Sequence, residues 1–138
     1  MRVQRIFWWA EFFIYVAIGA TLLLGGVGIW NVMMAAVRSR TREIGLKKAV
    51  GADDVDILKQ FLAEALLLSV GASILGILLG RLTVSCLAYF INSQPMESLF
   101  LICTGLGLLF GMLLGIGAGL FPSIQASRME VVDAVRYE

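Results

Sequence analysis

The chain has 138 residues, of which 59% are hydrophobic and 15% charged, with a net charge of +1 and no histidine. Soluble domains run at about 45–50% apolar and about 25% charged; a small soluble fold has too little interior to hide the excess, so a membrane is the natural solvent. The near-neutral balance offers no basic surface for nucleic acid, and the missing histidine removes the commonest general base and metal ligand.

In chain order, Arg2, Arg5 and Glu11 precede a first apolar segment at about residues 12–37. A second runs over about 61–91 and a third over about 99–121. Each reaches the roughly 20 residues needed to cross a bilayer core of about 30 Å. Helices are the expected form, because lipid cannot satisfy free backbone groups. The fold expected is therefore all-α, an integral membrane bundle of three transmembrane helices. The first segment is too long for a cleaved signal peptide, and no small-residue cleavage site precedes a soluble domain. Within it, "GGVGIW" at 25–30 lowers helix propensity and reads either as a hinge or as a packing notch. Asn31 is its polar outlier, suited to a hydrogen bond with a neighbouring helix.

Between the first two segments lies "RSRTREIGLKKAVGADD", residues 38–54. Arg38, Arg40, Arg42, Lys47, Lys48 and Lys59 lie in this connection, and Arg128 and Arg136 follow the third segment, whereas "NSQPMESL" carries no cation. The positive-inside rule places the connection and the C-terminus in the cytoplasm and the N-terminus outside. An outside N-terminus with no signal sequence suggests that something normally precedes the first helix. Apolar Val37, Ile44, Leu46, Ala49 and Val50 among the charges predict that the helix continues, amphipathically, into the connection. Gly51 is placed to end it; Asp53 then caps a new helix, with Asp56 three positions on. The expectation is a two-part helical elbow at about 38–60 and a cytoplasmic tail at 122–138.

Gly107, Gly111, Gly115 and Gly119 recur every four residues in the third segment, and Gly76 and Gly80 make a shorter version in the second. Such ridges let helix backbones approach closely. Cys86 and Cys103 show no metal or redox spacing and read as small packing residues. Ionisable residues in spans are functional candidates by default. Glu64, however, lies just past the elbow, and Arg81 is about 17 residues on, roughly 25 Å up the helix. Arg81 is expected to snorkel at the outer leaflet, with a Glu11–Arg81 pair as the alternative. A proton-coupled exporter would need a deeper carboxylate than Glu64. No nucleophile–base pair, metal cluster or phosphate loop occurs, so the chain itself reads as no enzyme, with no metal site and no cofactor bound directly.

The stretches "GGVGIWNVM", "TREIGLKKAVGA", "DILKQFLAEALLLS", "GILLG" and "FPSIQASRMEVVDAVRYE" together resemble the FtsX-like permease domain of MacB-type and lipoprotein-releasing-type ABC transporters. The resemblance implies a permease in the cell inner membrane whose cytoplasmic connection docks on an ATPase subunit. ATP would be bound by that partner, and a second permease copy would complete the assembly. It implies that Thr41, Arg42, Glu43, Ile44, Gly45, Lys47, Lys48, Ala49, Gly51 and Ala52 form the ATPase-facing elbow, with Arg136, Tyr137 and Glu138 near the same face. The three spans correspond to the family's second to fourth helices without its first helix and outer domain, which implies either a truncated or split permease whose rest another portion supplies or a compact relative with a reduced role. Val131, Trp30 and Arg81 depart from the family pattern. The competing expectation is a small structural or regulatory membrane protein that associates through the glycine ridge.

Overall fold

The computed structural model describes residues 2–92 and 97–129, with side chains from residue 4 onward. The expectations for residues 93–96, Val131, Arg136, Tyr137 and Glu138 fall outside the described residues. Four helices follow one another: α1 Arg2–Ser39, α2 Thr41–Ala49, α3 Asp54–Ile91 and α4 Glu97–Ser127. Three of them, α1, α3 and α4, are long and apolar enough to cross a membrane. The protein is all-helical and multi-pass. With 38 residues each, α1 and α3 extend about 57 Å at about 1.5 Å per residue, well beyond a hydrocarbon core of about 30 Å.

The connection between α1 and α2 corrects one expectation. The helix does not run on unbroken; it turns at Arg40 (φ −109, ψ 15), which has no side-chain cap. Flanking hydroxyls account for the bend. Ser39 Oγ donates to the Ala36 carbonyl at 3.0 Å and Thr41 Oγ1 to the Arg38 carbonyl at 2.7 Å, and such back-bonding loosens and bends a helix. At the far end α2 stops where expected. Gly51 has φ +101, and the amides of Val50, Gly51 and Ala52 close onto the carbonyls of Leu46, Lys48 and Lys47. Asp53 then caps α3, its carboxylate accepting from the Asp54 amide at 2.8 Å.

The close contact between α3 and α4 dominates the packing. Gly107, Gly111, Gly115 and Gly119 lie against Ile77, Ser73, Ser69 and Ala65 in turn, one step of four residues on each antiparallel helix. A Cβ at Gly111 would fall on Ser73 Oγ, one at Gly115 on Ser69 Oγ, and one at Gly119 on the Ala65 Cβ. The ridge therefore packs within the chain. Gly76 and Gly80 do not: each looks into open space, and the α3 side of the seam is made of Ala65, Ser69, Ser73 and Ile77 instead. The serines fit because their hydroxyls turn back onto their own helix, Ser73 to the Ser69 carbonyl at 2.8 Å and Ser69 to that of Leu66 at 3.0 Å. The two cysteines, expected as packing residues, are both exposed.

On α1 the inward stripe is Gly19, Leu22, Gly26, Ile29, Met33 and Val37, the three- and four-residue steps of one helix face. "GGVGIW" lies inside an unbroken helix, and a Cβ at Gly26 would meet Leu114 at an ordinary 3.7 Å. Trp30 stacks on Phe121 of α4 with ring centroids 4.7 Å apart. Asn31 is exposed and makes no side-chain hydrogen bond among the described residues. Past Phe121, where the sequence suggested a tail, α4 continues through Pro122 to Ser127. A proline in a helix interior costs about 3 kcal/mol or more; burial of Pro122, Ser123, Ala126 and Ser127 against the other helices offsets it. The fully buried apolar cluster sits at this same end: Met33 and Val37 of α1, Ile44 of α2, Ile57, Phe61 and Ala65 of α3, and Ala126 of α4. All four helices meet there, and the opposite halves carry exposed apolar side chains suited to lipid.

Candidate functional site

The elbow is the most densely tied part of the molecule outside the seam. Ile44 of α2 is 2% exposed and drops into the cluster beside a buried Gly45, with Ala52 packed against its edge. Polar ties surround this contact. Arg40 Nη1 donates to Glu64 Oε2 at 3.1 Å, and Lys47 Nζ to Gln60 Oε1 at 2.7 Å. Lys48, whose side chain is 12% exposed, places Nζ 2.6 Å from Asp54 Oδ1 at the start of α3. The same ammonium donates to the carbonyls of Ser127 at 2.5 Å and Met129 at 2.9 Å, at the end of α4. Exposed single ion pairs contribute about 0–1 kcal/mol each. Here they orient a short helix whose apolar anchor is already buried.

The residues expected to face an ATPase therefore divide into two groups. Ile44, Gly45, Lys48 and Ala52 turn inward, Lys47 reaches across to Gln60, and Thr41 and Gly51 serve the turns at either end. Of the rest, Arg42, Glu43 and Ala49 are exposed, and so beside them are Leu46 and Val50, which were not among the expected residues. Their spacing puts these five on one face of α2. Leu46 is 53% exposed and Val50 88%, an apolar strip flanked by one charge of each sign, on the connection between two spans. Arg42 and Glu43 make no salt bridge or side-chain hydrogen bond among the described residues. Sequence reasoning had treated Glu64 as a lone charge beside the elbow and had not paired it with Arg40. Nor did it find Gln60 or the α4 carbonyls, because these contacts join residues 13 to 81 positions apart, a separation that local pattern does not reveal.

A second polar feature lies toward the other end of the α3–α4 pair. Arg81 Nη2 is 3.6 Å from Glu97 Oε1, with its guanidinium carbon 4.6 Å from the centre of the Phe100 ring. Arg81 thus pairs across to α4 and not with Glu11, because α4 rises beside it while the N-terminal half of α1 is exposed. A cleft of about 330 Å³ opens next to this pair, lined by Ile77, Val84, Phe100, Cys103 and Thr104 among others.

The FtsX-like permease C-terminal family matches residues 15–131, a stretch that takes in the first span, the elbow, the seam and the end of α4. The chain belongs to that family. This permease domain is 46% identical over 128 residues to the ABC transporter permease YvrN of Bacillus subtilis, covering 85% of this chain and 31% of that protein. It is 36% identical over 120 residues to the ABC transporter permease YknZ of the same organism, covering 87% and 30%. Against the macrolide export ATP-binding/permease protein MacB of Syntrophobacter fumaroxidans the identity is 45% over 119 residues, covering 86% and 16%. The permease domain thus spans less than a third of the length of each of these relatives.

Proposed function

We propose that this permease domain is the membrane part of an ATP-driven transporter and that the outer face of α2 is where a separate or fused ATPase docks. The observation that carries this reading is the two-sidedness of the elbow. Arg42, Glu43, Leu46, Ala49 and Val50 lie exposed, while Ile44 and the Lys47 and Lys48 ties fix the opposite side to α3 and α4. A docking helix needs both faces, an adhesive one and an anchored one, because a push on an unanchored helix moves nothing beyond it. The cation distribution supports an elbow and an α4 end in the cytoplasm, with the connection between α3 and α4 outside, in the cytoplasmic membrane. ATP is then the ATPase's ligand, and the permease answers nucleotide-driven closure by shifting its spans. The name of one relative supports the ATPase partnership: MacB is named as both ATP-binding and permease protein. A second permease copy and a further permease portion complete the assembly.

The competing reading, a small membrane protein that associates through its glycine ridge, loses its interface: Gly111, Gly115 and Gly119 are already buried against α3. Co-purification with a MacB-like ATPase in mild detergent tests the transporter reading. Arg42→Glu with Glu43→Arg is expected to abolish capture, and Leu46→Asp to weaken it at least as much. Capture that ignores all three changes removes the docking face.

A further inference from the structure

We propose that Lys48 is a positioning residue that ties the elbow to the α3–α4 pair, so that α2, the start of α3 and the end of α4 move as one body. An ammonium has three N–H donors, and all three are engaged: the carbonyl of Ser127, the last residue of α4, that of Met129 two residues past it, and the Asp54 carboxylate of α3. The Ser127 carbonyl is among those a helix C-terminus leaves without intrahelical partners, and a cation there also meets the negative end of the helix dipole. Most lysines that cap a helix belong to that helix; Lys48 comes from an element 79 and 81 residues away. With its side chain 12% exposed, it is part of the anchored face of α2 and not of the docking strip.

The consequence is mechanical. The chain itself links α2 only to α1 and α3, through the turns at Arg40 and Gly51. Lys48 adds a direct tie to α4, which the glycine seam already holds against α3. A force on α2 therefore reaches α4 at its end without passing through the length of α3. The mobile partner is α1, whose most apolar stretch has no buried residue and which meets the other spans less extensively than they meet each other.

The tie itself can be tested without any partner, on the full chain in lipid nanodiscs. With Cys86 and Cys103 replaced by serine, spin labels at Glu43→Cys and Leu120→Cys report the distance between elbow and α4. A second pair, at Leu75→Cys and Leu109→Cys, reports the seam. The native chain is expected to give narrow distributions for both. Lys48→Met keeps the apolar stem and loses the donors; it is expected to widen the elbow distribution and leave the seam narrow, with Lys48→Arg restoring it in large part. An elbow distribution unchanged in Lys48→Met overturns the proposal. Widening of both pairs overturns it too, since Lys48 would then support the fold in general. That Lys48 transmits an ATPase's push rests on the docking reading above. With the ATPase bound, Lys48→Met is expected to lower transport per ATP hydrolysed several-fold. If the native chain captures no ATPase, the docking reading fails while the nanodisc result still decides the tie.

Discussion

Gly119 faces the Ala65 Cβ, which has no rotamer to turn away. At Gly111 and Gly115 the nearest atoms are the serine hydroxyls of Ser73 and Ser69, which can rotate, although Ser69 Cβ would remain 2.8 Å from a new Cβ at Gly115. At Gly107 the neighbour is Ile77 Cγ1 at 3.6 Å, an ordinary contact. One chemical change therefore has different costs along a single ridge. Gly119→Ala is expected to lower stability by about 1–3 kcal/mol, the range for overpacking a tight site. Gly107→Ala is expected to be neutral or stabilising, because it removes a helix-propensity penalty of about 1 kcal/mol. Thermal unfolding in detergent with the two variants side by side checks the order; equal shifts would mean that the seam is looser than it stands here. The four-residue repeat was legible in the sequence. Which glycines touch what was not, since the partner ridge Ala65, Ser69, Ser73, Ile77 contains no glycine, while Gly76 and Gly80, the α3 pair at ridge spacing, point elsewhere.

Among the elements, α2 depends on its ends. Its nine residues are too few to hold a helix alone in water, where isolated helices shorter than about 12–15 residues are marginal. The Gly51 turn and the buried Ile44 supply what length does not. A Cβ at Gly51 would meet nothing within 4 Å, so the cost of Gly51→Ala is purely that of the backbone at φ +101. A left-handed conformation costs a residue with a Cβ about 1–2 kcal/mol. Amide exchange of Val50 and Ala52 is expected to quicken about tenfold or more in Gly51→Ala, since about 1.4 kcal/mol is a factor of ten when exchange follows local opening. Unchanged exchange would show that the turn is held by its flanking contacts alone. The elbow's existence and its stop at Gly51 could be read from residue types, because glycine and aspartate act locally. The bend at Arg40 could not: serine and threonine hydroxyls either leave a helix straight or bend it, depending on which carbonyl they take.

For the whole molecule, all four helices converge at the elbow end; away from it α3 and α4 stay together as far as the Arg81–Glu97 pair, while α1 is attached mainly by its inner stripe and by the Trp30–Phe121 stack. Trp30 is 38% exposed, so its loss is partial. Trp30→Ala is expected to cost about 0.5–1.5 kcal/mol beyond the area lost, the value of an aromatic pair, and Trp30→Phe to retain much of it. A disulfide-trapping series between α1 and α4 should show looser spacing in Trp30→Ala alone; identical trapping in all three proteins would assign the α1 contact to Met33 and Val37.

The sequence by itself determined the class, the three spans, the helical elbow with its glycine stop and aspartate cap, and the family. The class, the spans and the elbow follow from composition, from hydrophobic run length and from side chains that act on their own backbone; the family came from the resemblance of whole motifs. Only the tertiary structure decided that the glycine ridge packs within the chain, that Arg81 pairs with Glu97 and Glu64 with Arg40, that α4 carries on through Pro122, and which side of α2 is free. It also turned Lys48 from an outward charge into the tie between three helices. Each of these depends on residues distant in the chain meeting at one point, where the geometry of packing and the count of hydrogen-bond donors select the partner, and neither is encoded in local spacing.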